Sequence, residues 1–156
     1  MKVSLSGRFA VVHDGATLEA SGVGRLGRLV LAYLVSERPR AVGRDELAEV
    51  LWGSQPPRTW ETSLRVVVSK LRAALVGAGL PAGLVATAPG GYHLAPPGTD
   101  VVQVDVEEAE QVVEEAEIAL RAGRAPEAGR LAAAAATSAA TFLGGEGGVW
   151  AERRQG

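Results

Sequence analysis

The chain has 156 residues, 47% of them hydrophobic and 22% charged, as is usual for a globular protein of one or two domains. It has no cysteine, which excludes disulfides and thiolate metal sites, and its two histidines lie far apart. No apolar run approaches the roughly 18 residues of a membrane span, and the N-terminus lacks the pattern of a secretion signal. These features favour a cytoplasmic protein with no cofactor, no metal and no membrane partner.

The net charge of −2 combines two halves of opposite sign. Residues 1–98 contain 11 Lys/Arg and 7 Asp/Glu, a balance of +4, whereas residues 99–156 contain 5 and 11, a balance of −6. A polyanion would be attracted by the first half and repelled by the second. The Ala-Pro-Pro-Gly sequence ending at Gly98 predicts a boundary between two domains, residues 1–98 and residues 99–156.

The N-terminal region predicts strands followed by a helix. Residues 3–13 alternate loosely, as one long strand or a strand pair. Asp14-Gly15 predicts a turn, and residues 17–20 a short returning strand. An apolar repeat at helical spacing then predicts a first helix over residues 25–36.

Two further helices and a hairpin follow. Residues 45–51 predict a second helix that ends on Trp52, which we expect to plug the core between this helix and the sheet. A loop rich in helix-breaking residues, residues 53–57, separates the second helix from a third helix over residues 59–77. Two short apolar runs around a Pro-Gly-Gly turn predict a hairpin over residues 84–94.

The second half predicts a helical hairpin. Asp105 as N-cap and Glu108 three residues later have the spacing of a capping box, and a second helix covers about residues 126–142. This second helix is rich in alanine, so the pair buries little area and should be ordered only by docking onto the first domain or onto a second copy. The expected anchors are Phe142 and Trp150.

The third helix has two different faces. At about 100° per residue, one stripe is apolar and consists of Leu64, Val67, Val68, Leu71 and Leu75. The opposite side is basic and polar, with Arg58, Thr62, Arg65, Ser69 and Arg72 on it and Lys70 on its flank. The major groove of DNA admits such a helix. The element order therefore predicts an α+β fold, a winged helix-turn-helix with an N-terminal antiparallel sheet, followed by an α-helical hairpin.

Several motifs carry a resemblance to a known family. The segments RLGRLVLAYLV, VGRDELAEVLWGSQPP, TSLRVVVSKLRAAL and VATAPGGYHL resemble the OmpR-type winged helix of the SARP (antibiotic regulatory protein) transcriptional activators. That family joins this domain to a tetratricopeptide-like activator domain, and LRAGRAPEAGRLAAAAATSA is similar to its opening helices. The family's helical domain is longer and helical repeats need neighbours, so residues 99–156 are expected to be an incomplete activator domain.

The resemblance implies roles for the third helix. Arg65 and Lys70 resemble base-facing positions of OmpR-type helices, where arginine can bind guanine O6 and N7. The other candidate DNA-binding residues are Arg58, Thr62, Val66, Ser69, Arg72 and His93. The two arginines and the serine of this set are placed for phosphates, which fix the register, and the valine is placed for a thymine methyl.

The predicted wing departs from the family pattern. Family wings often carry arginine just before the turn and after the tyrosine, where this chain has Ala88 and His93. His93 either binds a phosphate or is a solvated strand residue. Tyr92 is expected to pack into the base of the hairpin.

No catalytic residue is predicted. Gly22, Gly24 and Gly27 have the spacing of a dinucleotide fingerprint, but no parallel strand–helix–strand unit surrounds them. A loop that begins a helix and directs N–H groups towards a DNA phosphate is the preferred interpretation. Nothing in the sequence supplies a nucleophile with a base beside it, so the chain is not expected to be an enzyme.

The sequence thus predicts a transcriptional regulator that binds double-stranded DNA. The resemblance implies an activator that recruits RNA polymerase and binds direct repeats through the major groove, with a homodimer as one state and a nucleoid-associated location. The loop before the third helix, with Ser54, Gln55 and Arg58, is either a surface for the transcription machinery or a plain connection. The alternative function is a protein-interaction module without a specific DNA site.

Overall fold

The computed structural model describes residues 1–6, 8–98 and 101–139. Its strands are β1 (Lys2–Ser4), β2 (Ala10–His13), β3 (Ala16–Glu19), β4 (Val42–Gly43), β5 (Val85–Ala88), β6 (Gly91–Leu94) and β7 (Gln103–Val104). Its α-helices are α1 (Arg25–Glu37), α2 (Arg44–Trp52), α3 (Trp60–Gly77), α4 (Asp105–Arg121) and α5 (Ala125–Ala139). The predicted α+β class is confirmed. No helix in these ranges is long and apolar enough to cross a membrane.

The N-terminal sheet has the strand order β3-β2-β1-β7. The β2–β3 turn places Asp14 at φ 47° and Gly15 at φ 79°, which is the two-residue turn that suits the twist of antiparallel strands. Val3 lies opposite Val11, and Val11 opposite Leu18. All three side chains are buried, so one face of this sheet belongs to the core.

Helix α1 occupies the centre of the molecule. Every residue from Leu29 to Val35 is buried, because α2, α3 and β6 all pack against this helix. A helix that is apolar all round is stable only in such a position. Gly27 lies where α1 approaches α3, and a Cβ there would lie 2.9 Å from Val23 Cγ2 and 3.8 Å from Leu71 Cβ. The close neighbour of this glycine is thus Val23, just before α1, whereas Leu71 of α3 lies at ordinary van der Waals distance.

Trp52 lies at the rim of the core. Its side chain is partly buried and packs against the central cluster. The expectation of a core plug is therefore correct only in part, because this side chain is not fully buried.

The helical hairpin is joined to the first half by backbone and side-chain contacts. Strand β7 pairs in parallel with β1, with Lys2 opposite Gln103. The carboxylate of Asp105 accepts hydrogen bonds from the N–H groups of Leu5 (2.8 Å) and Ser6 (3.1 Å) and from the Ser6 hydroxyl (2.8 Å). The predicted capping box is therefore wrong: α4 begins at Asp105 itself, and this carboxylate binds the loop after β1 because that loop presents three converging donors.

An ion pair adds a second side-chain connection. The Arg38 guanidinium donates to both carboxylate oxygens of Glu107, at 2.9 and 2.8 Å, and to the Val102 carbonyl at 3.2 Å. Arg38 directly follows α1, so this bidentate pair connects the central helix to the first turn of α4.

The seam between α4 and α5 is narrow. Its buried residues are Ala109, Ala116, Ala119 and Ala128. Docking on the first half, through β7, Asp105 and Glu107, is consistent with the expectation that this hairpin needs external support. The expected anchors Phe142 and Trp150 lie outside the described residues, and the division into domains at residue 98 stays a prediction.

A polar network joins α1 to α2. The Tyr33 hydroxyl donates to Glu46 Oε1 at 2.6 Å, and Arg40 donates to Glu46 Oε1 at 2.6 Å and to Glu37 Oε2 at 2.8 Å. The hydrogen bonds from Arg40 are the largest cause of a lowered pKa at Glu46. Burial, followed by the hydrogen bond to Glu46, raises the pKa of Tyr33 to about 12.

We predict that Glu46→Gln weakens the dependence of stability on acidity. The folded pKa of Glu46 is lowered, so its stabilising effect is present above the unfolded pKa and is lost as the pH falls through the folded value. Between about pH 6 and pH 3, the melting temperature of the wild type should therefore fall by more than that of Glu46→Gln. Glu49→Gln, an exposed position on the same helix, is the control and should follow the wild type. Parallel curves for all three proteins would contradict the prediction.

We predict that Asp105→Ala lowers the free energy of unfolding by about 1–3 kcal/mol, because three donors lose their acceptor. Glu108→Ala removes a carboxylate from the same first turn of α4, at an exposed position, and therefore controls for the helix dipole. Chemical denaturation of both variants provides the measurement. Equal losses for the two variants would show that only the charge at the helix end matters.

Candidate nucleic-acid interface

Helices α2 and α3 form a helix-turn-helix unit whose second helix turns one face to solvent. Leu64, Val68, Leu71 and Leu75 are each at most 1% exposed and anchor α3 in the core. The opposite face follows from the helical period and lies in solvent. The face with the predicted DNA contacts is thus set by burial of the apolar stripe.

Most of the predicted contact residues share this exposed face. Arg58, in the loop before α3, and Thr62, Arg65, Val66, Ser69 and Lys70, on α3, are all exposed. Val66 is 46% exposed, so its methyl groups are accessible on this face. The structure therefore brings six of the eight candidates to one surface.

The cations on this face are not neutralised. Within the described ranges, Arg58, Arg65 and Lys70 form no ion pair. Some arginines elsewhere are paired with carboxylates, as Arg8 is with Glu19 and Arg40 with Glu37 and Glu46. The exposed face of α3 consequently presents positive charge that a phosphate backbone can meet.

Arg72 differs from the other cations of α3. Its side chain is partly buried, and its guanidinium faces the hairpin of β5 and β6. Two of its nitrogens donate to oxygens of that hairpin. The position predicted for a phosphate contact thus has intramolecular partners.

The hairpin of β5 and β6 is the predicted wing, and it belongs to a three-stranded sheet of order β4-β6-β5. A Cβ on Gly91 would lie 1.8 Å from the Val42 carbonyl oxygen, so β6 can lie beside β4 only with glycine there. Tyr92 is 7% exposed and packs into the hairpin base, as expected. His93, the last candidate, is partly buried opposite Ala86.

Two arginines at helix starts were not among the candidates. Arg25 begins α1 and shares a groove of about 450 Å³ with Lys70. Arg44 begins α2, is exposed, and its N–H donates to the Gly90 carbonyl at the wing turn. Each follows an N-cap glycine, and a cation in a first helical turn opposes the helix dipole. This Gly-Arg pattern was the available sequence signal.

A second groove, of about 560 Å³, lies beside the loop before α3. Its lining residues are Asp45, Ala48, Glu49, Gly53, Ser54, Pro56 and Trp60. The charged side chains among them are carboxylates, which would repel a phosphate backbone. This side of the helix-turn-helix unit is therefore chemically different from the exposed face of α3. No cluster of three or more metal-ligating side chains occurs in the described part of the chain.

Comparison with known proteins relates the central region to a family. Residues 25–94 match the family described as transcriptional regulatory protein, C terminal. The transcriptional regulatory protein EmbR of Mycobacterium bovis is 46% identical over 71 residues, which is 45% of this chain and 18% of that protein. EmbR of Mycobacterium tuberculosis matches over the same extent. The matched region is therefore less than a fifth of these relatives.

A solved structure extends the similarity beyond the winged helix. The structure of Mycobacterium tuberculosis EmbR in complex with a low-affinity phosphopeptide superposes with a TM-score of 0.65 and 32% identity. It covers 91% of this chain and 37% of that chain. The resemblance to SARP-type transcriptional regulators and the winged-helix fold predicted from the sequence are confirmed by these matches.

Proposed function

We propose that this chain, whose residues 25–94 match the C-terminal domain of transcriptional regulatory proteins, binds a specific sequence in double-stranded DNA and activates transcription. The observation that carries the proposal is the exposed face of α3. Three cations without an ion-pair partner in the described ranges lie beside polar groups there: Arg65 and Lys70 on the helix, and Arg58 in the loop just before it. A single helix with such a face fits the width of a major groove.

The proposed contacts divide into bases and phosphates. Arg65 and Lys70 contact base edges, because they resemble the base-facing positions of OmpR-type helices and are exposed. Val66, at the edge of the same exposed face, contacts a thymine methyl. The proposed backbone contacts are made by Arg58, Thr62, Ser69 and His93, with Arg25 and Arg44 added from the structure. Backbone contacts fix the register of the helix and contribute most of the salt dependence.

The proposed protein partner is RNA polymerase. The groove beside the loop of Ser54 and Gln55 has two carboxylates, Asp45 and Glu49, and one aromatic residue, Trp60, so it suits a basic protein surface better than DNA. We place this groove on the polymerase side and the exposed face of α3 on the DNA side. Binding to direct repeats, with a homodimer as the bound state, and a cytoplasmic, nucleoid-associated location complete the proposal.

The alternative is a protein-interaction module without a specific DNA site. Two observations favour it: the wing turn carries no cation at Ala88, Pro89 or Gly90, and the acidic groove beside the loop before α3 suits a protein partner better than DNA. Selection of the whole chain against random duplex DNA distinguishes the two functions. Enrichment of one sequence motif supports the regulator, and enrichment of none at low salt supports the interaction module.

We predict that Arg65→Ala and Lys70→Ala each weaken binding to the selected duplex by about 1–3 kcal/mol and relax the preference at one base pair. The reason is the loss of hydrogen bonds to base edges from the exposed face of α3. Titration of selected and random duplexes by fluorescence anisotropy provides the measurement.

The matched control for Lys70→Ala is Lys2→Ala, which removes an exposed lysine from β1 and should leave both affinities unchanged. Equal decreases in affinity for selected and random duplexes in the two α3 variants would assign these residues to phosphates only. The slope of log K against log salt would then decrease by about 0.9 for each phosphate that is no longer neutralised.

A further inference from the structure

Arg72 makes three contacts with the wing. Its Nε donates to the Val85 carbonyl oxygen at 2.9 Å, and its Nη2 donates to Thr87 Oγ1 at 3.0 Å. Its guanidinium carbon lies 5.6 Å from the centroid of the Tyr92 ring. The first two partners are on β5 and the third is on β6, so one side chain of α3 holds both strands of the hairpin.

The geometry uses features that only arginine offers. The planar guanidinium presents N–H groups in its plane and a flat face above and below it. Here the N–H groups meet two oxygens of β5 while the guanidinium carbon lies over the ring of Tyr92, which is 7% exposed. Exclusion of water from that ring strengthens the cation–π attraction. A lysine at the same position retains the charge, but it has neither the several N–H donors in one plane nor the flat face of a guanidinium.

The other connections of the wing run to different elements. Strand β6 pairs with β4, where Val42 lies opposite Tyr92, and the Gly90 carbonyl accepts from the Arg44 N–H of α2. Arg72 is the residue of α3 that hydrogen-bonds to β5 in the described part of the chain. Arg72 therefore adds a directed polar connection between the proposed recognition helix and the wing to the apolar packing of Val85 and Leu94 in the shared core.

We infer that Arg72 is a positioning residue, which fixes the orientation of the wing relative to α3 so that both elements contact DNA together. Its charge then contributes little to the neutralisation of DNA phosphates. This inference rests on the proposed function. It differs from the phosphate contact that the sequence predicts for this position, since Nε and Nη2 of Arg72 already bind Val85 and Thr87.

Three variants of the full chain test the inference: Arg72→Lys, Arg72→Ala and Thr87→Val. Hydrogen exchange of the backbone amides of β5 and β6 is measured in the free protein, together with the melting temperature. We expect exchange in the hairpin to accelerate about tenfold in both Arg72 variants and less in Thr87→Val, which removes one acceptor. Amides of α1 should keep the wild-type rates. Arg65→Lys, on the exposed face of the same helix, is the control and should leave wing exchange unchanged.

Binding to the selected duplex is measured over a range of salt concentrations. We expect Arg72→Lys to bind about tenfold more weakly, with the wild-type slope of log K against log salt. Wild-type affinity of Arg72→Lys, or a slope reduced by about 0.9 in Arg72→Ala, would assign Arg72 to a phosphate and overturn the inference. Unchanged wing exchange would also overturn it. If the wild type selects no DNA sequence, the proposed function fails, while the exchange data still report whether Arg72 holds the wing.

Discussion

Complete burial of α1 is the constraint on which the other elements depend. Seven consecutive residues, Leu29 to Val35, are buried, and such a helix is stable only if neighbours cover it on all sides. Helices α2 and α3 and strand β6 supply this cover. Once the stripe of Leu64, Val68, Leu71 and Leu75 packs inwards, the helical period turns Arg65 and Lys70 to solvent. The proposed DNA-binding face is thus a consequence of how the core is closed.

Two paired arginines connect helices, in contrast to the cations of the exposed face of α3. Arg38 and Arg40 have carboxylate partners and join helices to one another, with Arg38 connecting the end of α1 to Glu107 of α4. The cations of the exposed face of α3 have none within the described ranges. Exposed ion pairs contribute little to stability, so unpaired cations cost the fold little while they retain charge for a polyanion.

The junction between the two halves is more extensive than a flexible linker would be. A parallel strand pair, the Asp105 carboxylate and the bidentate Arg38–Glu107 pair all lie within one short stretch, residues 102–107. Two of these contacts involve side chains that are partly buried, where an unmatched donor is costly. A change in the orientation of the helical hairpin would therefore have to break contacts with β1 and with the end of α1.

The sequence by itself determined the class and order of the elements, because apolar period, turn residues and glycine positions act locally. The Asp14-Gly15 turn, the two faces of α3 and the hairpin around Gly90 all follow from spacing alone. Tertiary structure decided what each polar side chain binds. Asp105 has the spacing of a cap, yet it binds Leu5 and Ser6, and Arg72 lies on the basic side of its helix, yet it binds the wing. These partners are 13 to 100 residues away in the chain. Local periodicity does not show which residues so far apart in sequence are close in space.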